Sequence, residues 1–148
     1  GNRPDNASYQ YIVVPNVTEA DLAETSSNNR GVEILSNTSD LQCVKSHKLG
    51  ICQLAFYRAG EVEVSDGFRF RMDSQGMAML KMEGNRIQEF SVADPSRKLS
   101  RILITVSGIY NIRGDNFVAL PDNNQNKTYF VIELPQGVYT GKSVTVIL

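Results

Sequence analysis

Residues 36–60 read SNTSDLQCVKSHKLGICQLAFYRAG and contain both cysteines and the only histidine of the chain. Apolar and polar residues alternate in two arms on either side of a polar tip at His47-Lys48, which is the pattern of an antiparallel β-hairpin. We expect Cys43 to lie opposite Cys52, because this register gathers the apolar side chains of both arms on one face. That face consists of Leu41, Cys43, Cys52, Leu54 and Phe56.

The predicted register leaves no metal or catalytic site in this stretch. A zinc site needs three or four convergent ligands, whereas both cysteines point into the core and His47 lies at the tip. A catalytic Cys–His pair is excluded for the same reason, and no residue is placed to orient the imidazole. We therefore expect no catalytic residue, no metal ligand and no cofactor. A cross-strand disulfide and two free thiols both stay open at this point.

Composition and charge narrow the class of protein. With 148 residues, 41% of them apolar and 21% charged, the chain fits one globular domain with a single core. Its formal net charge of -1 provides no field that would attract nucleic acid. No apolar run approaches the length of a membrane span, and the first residues carry no signal-peptide pattern. We expect no nucleic-acid partner and no membrane span.

Alternation with period two and frequent turn residues dominate from Val32 onwards, and they predict an all-β fold, an antiparallel β-sandwich. In residues 61–72, a three-residue loop with Gly67 in the left-handed conformation keeps the apolar face intact. This loop pairs Val62 with Phe70 and Val64 with Phe68. Later strands are predicted at residues 101–107, 128–134 and 143–148, with a flexible polar loop at residues 121–127.

A further hairpin is predicted for residues 77–92, with its turn at Gly84-Asn85. The expected partners are Met82 with Ile87, Met79 with Phe90, and Met77 with Val92. The four methionines of the chain would then be core filler beneath one sheet.

Residues 1–31 differ from the rest of the chain. Tyr9–Val14 is a strand candidate, and Thr18–Glu24 is the one plausible helix, with Thr18 as its cap and acids in its first turn. Residues 26–31 form a polar linker. We expect one short N-terminal helix ahead of the sandwich.

Only a few polar side chains are candidates for a binding site. Arg69 and Arg71 alternate on the polar face of a strand and would suit an acidic polysaccharide, although the pattern favours a solvated sheet face. The chain has no tryptophan, so an aromatic platform for sugars falls to the tyrosines Tyr57, Tyr110, Tyr129 and Tyr139. The carbohydrate-binding candidates are Arg69, Arg71 and Tyr57. Asp94, followed by proline, is predicted to open a turn and not to act as a catalytic carboxylate.

Three segments carry a resemblance to a known family. They are YQYIVVPNVTEADL at residues 9–22, EILSNTSDLQCVKSHKLGICQLAFYRAGEV at residues 33–62, and FSVADPSRK at residues 90–98. In this order they resemble the C-terminal end of the bacterial polysaccharide lyases of family 8, the chondroitin, hyaluronan and xanthan lyases. The first segment resembles the last strand of the central β-domain and is most similar to the chondroitin AC-type enzymes. The second resembles the opening of the C-terminal β-domain.

The resemblance implies three parts. Residues 1–16 are the last strand of a preceding central β-domain, or the leading strand of this one. Residues 17–31 are a short helix and linker, and residues 32–148 are the C-terminal antiparallel β-sandwich domain.

The resemblance also implies a function. Members of this family cleave uronic-acid-containing polysaccharides by β-elimination, with Asn, His, Tyr and Arg/Glu that lie mainly in an N-terminal α/α-toroid. None of those motifs occurs in this sequence, so we expect an inactive C-terminal domain of a secreted or periplasmic bacterial lyase. Its partners would be the preceding lyase domains of the same chain, and the acidic polysaccharide through the parent enzyme. The alternative is an autonomous carbohydrate-binding β-sandwich module.

Overall fold

The computed structural model describes residues 8–13, 15–19, 21 and 31–148. The chain divides into two units, Gly1–Gly31 and Val32–Leu148. No helix in the described part is long and apolar enough to cross a membrane.

In the first unit, the predicted strand is not formed within residues 8–13, which carry no regular secondary structure, and Val14 lies outside the described residues. An extended segment becomes a strand only when a neighbour satisfies its backbone groups, and none of the described strands pairs with this segment. For the predicted helix, Glu19 and Asp21 have helical backbone, and Thr18 Oγ1 accepts the Asp21 N–H at 3.3 Å as an N-cap does. Residues 20 and 22–30 lie outside the described residues.

The second unit confirms the all-β antiparallel sandwich. Its strands are β1 (Val32–Asn37), β2 (Leu41–Ser46), β3 (Ile51–Phe56), β4 (Gly60–Ser65), β5 (Phe68–Met72), β6 (Gly76–Glu83), β7 (Arg86–Ala93), β8 (Arg101–Ser107), β9 (Arg113–Gly114), β10 (Phe117–Asp122), β11 (Lys127–Glu133) and β12 (Val144–Ile147), with a 3-10 turn at Gly137–Tyr139. Sheet A has the order β1-β2-β3-β6-β7-β12, and sheet B has the order β4-β5-β8-β11-β10-β9.

Four phenylalanines join the two sheets. Phe56 and Phe90 come from sheet A, and Phe70 and Phe130 come from sheet B. The ring centroids of Phe56 and Phe70 are 6.3 Å apart, those of Phe70 and Phe90 5.9 Å, and those of Phe90 and Phe130 5.2 Å. The last two contacts are edge-to-face, the arrangement that the aromatic quadrupole favours. The rings alternate between the sheets and form the centre of the core.

The β2–β3 hairpin has the predicted face but not the predicted register. All five apolar residues of that face are buried. Cys43, however, lies opposite Leu54, and Cys52 lies opposite Lys45, a shift of two residues that leaves every side chain on its own face. Gly50 causes the shift, because it belongs to the loop: its φ is +63° and its carbonyl accepts the Met82 N–H at 2.6 Å.

The β4–β5 hairpin agrees with the prediction except at its end. Val62 lies opposite Phe70 and Gly67 has φ +69°, both as predicted. Ser65 takes the place expected for Val64 opposite Phe68, because the register shifts between residues 63 and 65.

The prediction for the methionines is wrong at two of four positions. Met72 and Met82 are buried, and Met82 lies opposite Ile87 as predicted. A register shift between Lys81 and Met82 then places Met79 opposite Ser91 and Met77 opposite Ala93. Met77 and Met79 are 52% and 43% exposed and lie on the outer face of sheet A.

Asp94 opens a turn, as predicted, and organises the loop that follows β7. It is only 2% exposed, and its carboxylate accepts the Ser96 N–H and hydroxyl and the N–H groups of Lys98 and Leu99, at 2.6–2.9 Å. Burial alone would raise the pKa of Asp94, but the hydrogen bonds from Ser96, Leu99 and Lys98 outweigh it and lower that pKa below its usual value.

We predict that Asp94→Asn lowers the free energy of unfolding by about 2–3 kcal/mol at neutral pH, because charge-assisted hydrogen bonds to a buried carboxylate are lost. The folded-state pKa is lowered, so this contribution is complete above the unfolded-state pKa of about 3.9 and disappears as the pH falls through the folded value. Urea unfolding of both proteins at neutral and strongly acidic pH measures the effect. Asp115→Asn, at an exposed position, is the control. An equal deficit at both pH values would contradict the prediction.

We also predict two unbonded thiols. Residues diagonal to one another across two strands, as Cys43 and Cys52 are, lie about 7–8 Å apart, beyond the usual reach of a disulfide. In denaturant without reductant, a thiol reagent should titrate two groups. In the native protein the reaction should be at least about a hundredfold slower, because both thiols are buried and protonated. Absence of thiol reactivity in denaturant would contradict the prediction.

Candidate functional site

The two candidate arginines lie on the outer face of sheet B, between buried residues of β5. The guanidinium of Arg69 contacts the carboxylates of Glu61 and Glu63 at 3.1 and 3.4 Å, so its charge is largely compensated. The Arg71 side chain is exposed and has no ion pair or hydrogen bond to the described part of the chain. Its neighbours across the sheet are Glu61 on β4 and Thr105 on β8.

Tyr57 does not join the arginines. Its hydroxyl donates to Gln42 Oε1 at 3.3 Å, and Gln42 lies on the outer face of sheet A. The two outer faces point away from each other, so the three predicted candidates do not form one site. The tyrosine in the same cross-strand row as Arg71 is Tyr129, which lies opposite Thr105 and is half-buried.

The two cysteines and the histidine of residues 36–60 do not form a reactive site. Burial raises the pKa of Cys43 to about 12 and also raises the pKa of Cys52, so both thiols stay protonated. His47 is on the surface, with its Nε2 atom 2.8 Å from Glu33 Oε2. Among the residues that the structure describes, no three His, Cys, Asp or Glu side chains converge as metal ligands.

The outer face of sheet A carries an apolar surface that the sequence did not predict. Its first cross-strand row is Gln42, Ala55, Met77 and Ala93, and its second is Val44, Gln53, Met79, Ser91 and Thr145. We call these two rows the methionine face. They contain no charged side chain, and they surround a shallow hollow of about 490 Å³. The solvated face of a sheet normally carries polar and charged side chains, so an uncharged face with two exposed methionines is unusual.

Two clefts lie at the end of the sandwich where the β4–β5 and β6–β7 turns meet. A hydrogen bond of 2.6 Å from Ser65 Oγ to Asn85 Oδ1 links these turns, and both clefts include Asn85. The first cleft, of about 650 Å³, is lined by acids and by Lys45, whose ammonium already donates to the Val64 carbonyl at 2.8 Å. The second, of about 600 Å³, contains Arg86 and Tyr110 and is called the Tyr110 cleft below.

Known proteins match this fold and sequence. Residues 33–102 match the family model for the polysaccharide lyase family 8 C-terminal beta-sandwich domain. Chondroitinase-AC of Pedobacter heparinus is 30% identical over 106 residues, which are 72% of this chain and 15% of that enzyme. Xanthan lyase of Bacillus sp. strain GL1 is 29% identical over 97 residues, 66% of this chain and 10% of that enzyme.

A solved structure agrees over nearly the whole chain. It is a chondroitinase AC lyase in complex with oligosaccharides, and it covers 97% of this chain with a TM-score of 0.74 and 26% identity. This chain spans 19% of that structure, and less than a fifth of each relative named above. Residues 33–102 therefore belong to the C-terminal β-sandwich domain of polysaccharide lyase family 8, as the sequence resemblance predicted.

Proposed function

We propose that this chain is the non-catalytic C-terminal domain of a secreted bacterial polysaccharide lyase. The parent enzyme would degrade uronic-acid-containing glycosaminoglycans, chondroitin sulfate or hyaluronan, by β-elimination. The observation that carries the proposal is the likeness to chondroitinase-AC, which extends over 72% of this chain but only 15% of that enzyme. The domain supports the preceding domains and the substrate cleft that they form.

The titratable groups support a non-catalytic role. β-Elimination needs a base for the C5 proton and an acid for the leaving oxygen, each with a pKa near the working pH. Among the described residues, the pKa is clearly shifted for Cys43, Cys52, Asp94 and Tyr110. The pKa values of the two thiols and of the phenol are raised, away from pH 7, and the pKa of the carboxylate is lowered, also away from pH 7. None of the four groups is therefore tuned for proton transfer at neutral pH.

The methionine face supports docking onto the preceding domain. Met77 and Met79 expose apolar surface on two rows that lack charge, and covering such surface with a protein face is favourable by roughly 25 cal/mol per Å². Because the related enzymes are several times longer than this chain, a large preceding region is the natural occupant. Tyr11, Ile12 and Val13 are also exposed, which fits a strand whose pairing partner belongs to another domain.

The second candidate function is an autonomous carbohydrate-binding module. The unpaired guanidinium of Arg71, in one row with Thr105 and Tyr129, is the observation that favours it. A module of this kind would be retained on immobilised chondroitin by itself, and retention would fall with Arg71→Gln.

We predict that the 148-residue chain releases no unsaturated uronate product from chondroitin sulfate or hyaluronan, measured by ultraviolet absorbance.

The residues encoded upstream of Gly1 test the proposal directly. They should contain a long helical region with a Tyr/His/Asn constellation. An unrelated upstream domain, or product formation by this chain alone, would overturn the proposal.

We predict a context-dependent effect for Met77→Glu combined with Met79→Glu. In the full-length enzyme the two charges would be buried at the domain interface, so the melting temperature should fall by several degrees. In the isolated chain both side chains are solvated, and the melting temperature should change by less than about 2 degrees. Leu120→Glu, at an exposed position of sheet B, is the matched control. An unchanged full-length enzyme would show that the methionine face is not the docking surface.

A further inference from the structure

The Tyr110 cleft is lined mainly by polar groups, with apolar side chains between them. Phe68, Ile87 and Ile109 belong to its apolar part. The polar lining includes Arg86, Gln88, Asn85, Asn126, Asp66 and Tyr110. A cleft of about 600 Å³ is within the usual size range of small-ligand sites, and its many hydrogen-bonding groups suit a polar ligand.

Arg86 brings an uncompensated positive charge into this cleft. Its register partner across the turn is Glu83, yet the Arg86 side chain forms no ion pair or hydrogen bond with the described residues. Asp66, the acid that also lines the cleft, forms no ion pair with it either. The guanidinium therefore keeps all its donors for a ligand, in the planar arrangement that suits a carboxylate or sulfate.

Tyr110 is held firmly beside this charge. Its backbone N–H donates to Thr128 Oγ1 at 2.9 Å, and the Thr128 hydroxyl donates to the Gly108 carbonyl at 2.8 Å. Its ring packs on Phe130 with a centroid distance of 6.2 Å. Gly108 has φ +99°, and a Cβ there would lie 3.2 Å from the Tyr110 ring, so a glycine leaves the space that the ring needs.

The phenol of Tyr110 is an unused donor. Its hydroxyl makes no hydrogen bond to any described residue, although the side chain is half-buried. Burial raises the pKa of Tyr110, against the opposing effect of the Arg86 charge, so the phenol remains protonated at neutral pH. Asn85 is pinned by its Oδ1 atom to Ser65, which leaves the amide NH₂ free to donate.

We propose that the Tyr110 cleft binds one anionic sugar unit, with its carboxylate or sulfate on Arg86 and a hydroxyl on Tyr110. The cleft's apolar wall packs against the C–H face of the sugar ring. The neighbouring cleft does not suit this ligand, because Glu33 and Glu63 line it in addition to Asp66, which both clefts share, and its lysine is already engaged. The choice of a uronate-containing sugar rests on the proposed function, whereas the preference for an anion rests on Arg86.

The test is a titration of the isotopically labelled 148-residue chain, followed by NMR, with three tetrasaccharides. Hyaluronan offers carboxylates only, chondroitin sulfate offers carboxylates and sulfates, and fully N-acetylated chitotetraose has no charge. We expect both acidic sugars to shift the amide signals of residues 86–88 and 108–110, and the uncharged tetrasaccharide to shift none. A response to chondroitin sulfate alone would assign Arg86 to the sulfate and support the site.

Matched variants test the roles of the two side chains. Arg86→Gln should weaken binding at least about tenfold, and Tyr110→Phe, which removes only the hydroxyl, about three- to tenfold. Arg101→Gln, which removes an exposed guanidinium at the start of β8, at the far end of that strand from the cleft residue Ser107, should leave the affinity unchanged. Melting curves of each variant separate lost binding from lost folding.

Three results would overturn the site. They are absence of shifts at millimolar sugar, equal weakening by Arg101→Gln and Arg86→Gln, and equal binding of the uncharged tetrasaccharide. None of them would affect the parent-lyase proposal, which is decided by the sequence upstream of Gly1. Conversely, an upstream region without lyase domains would leave measured binding to the cleft intact.

Discussion

The alternation of four phenylalanines between the sheets is the constraint on which the other features depend. Phe56, Phe70, Phe90 and Phe130 lie on strands inside their sheets, and each contacts a ring from the opposite sheet. Truncating one of them to alanine would lower the free energy of unfolding by several kcal/mol, because the side chains of one sheet alone could not fill the cavity. Phe130 also supports Tyr110, so the same row of rings that joins the sheets fixes the wall of the end cleft.

The faces of the strands could be predicted from sequence, but their registers could not. Period-two alternation gives the buried face of β2 and β3 from local residues alone, and a shift of two does not alter it. The register depends on distant contacts, such as that between Gly50 and Met82, which no local pattern contains. Strand β6 alternates without a break, so Met77 and Met79 lie on the opposite face from Met82, and the register shift changes only which β7 residues lie opposite them. The polar run at residues 121–127 predicts a loop, yet β10 continues to Asp122, and Pro121 is paired with Thr128.

The positions of the candidate residues along the chain do not show which face of the sandwich they occupy. Tyr57 lies only a few positions before β4, but the chain crosses from sheet A to sheet B between β3 and β4. This crossing places Tyr57 near one outer face and Arg69 and Arg71 on the other. Arg86 carried no sequence signal, because an exposed arginine after a Gly-Asn turn is ordinary. Its significance comes from the packing of Tyr110 beside it, which only the folded chain provides.

The proposed docking face and the proposed sugar site are compatible because they lie at different places on the same hairpin. Met77 and Met79 are near the start of β6, whereas Arg86 follows the turn at its end. Arg86 lies opposite Glu83, and at about 3.4 Å per residue the four residues from Met79 to Glu83 separate them by roughly 14 Å along the strand. A domain packed on the methionine face would therefore leave the Tyr110 cleft open to solvent. The hairpin β6–β7 would then connect a protein contact at one end with a ligand contact at the other.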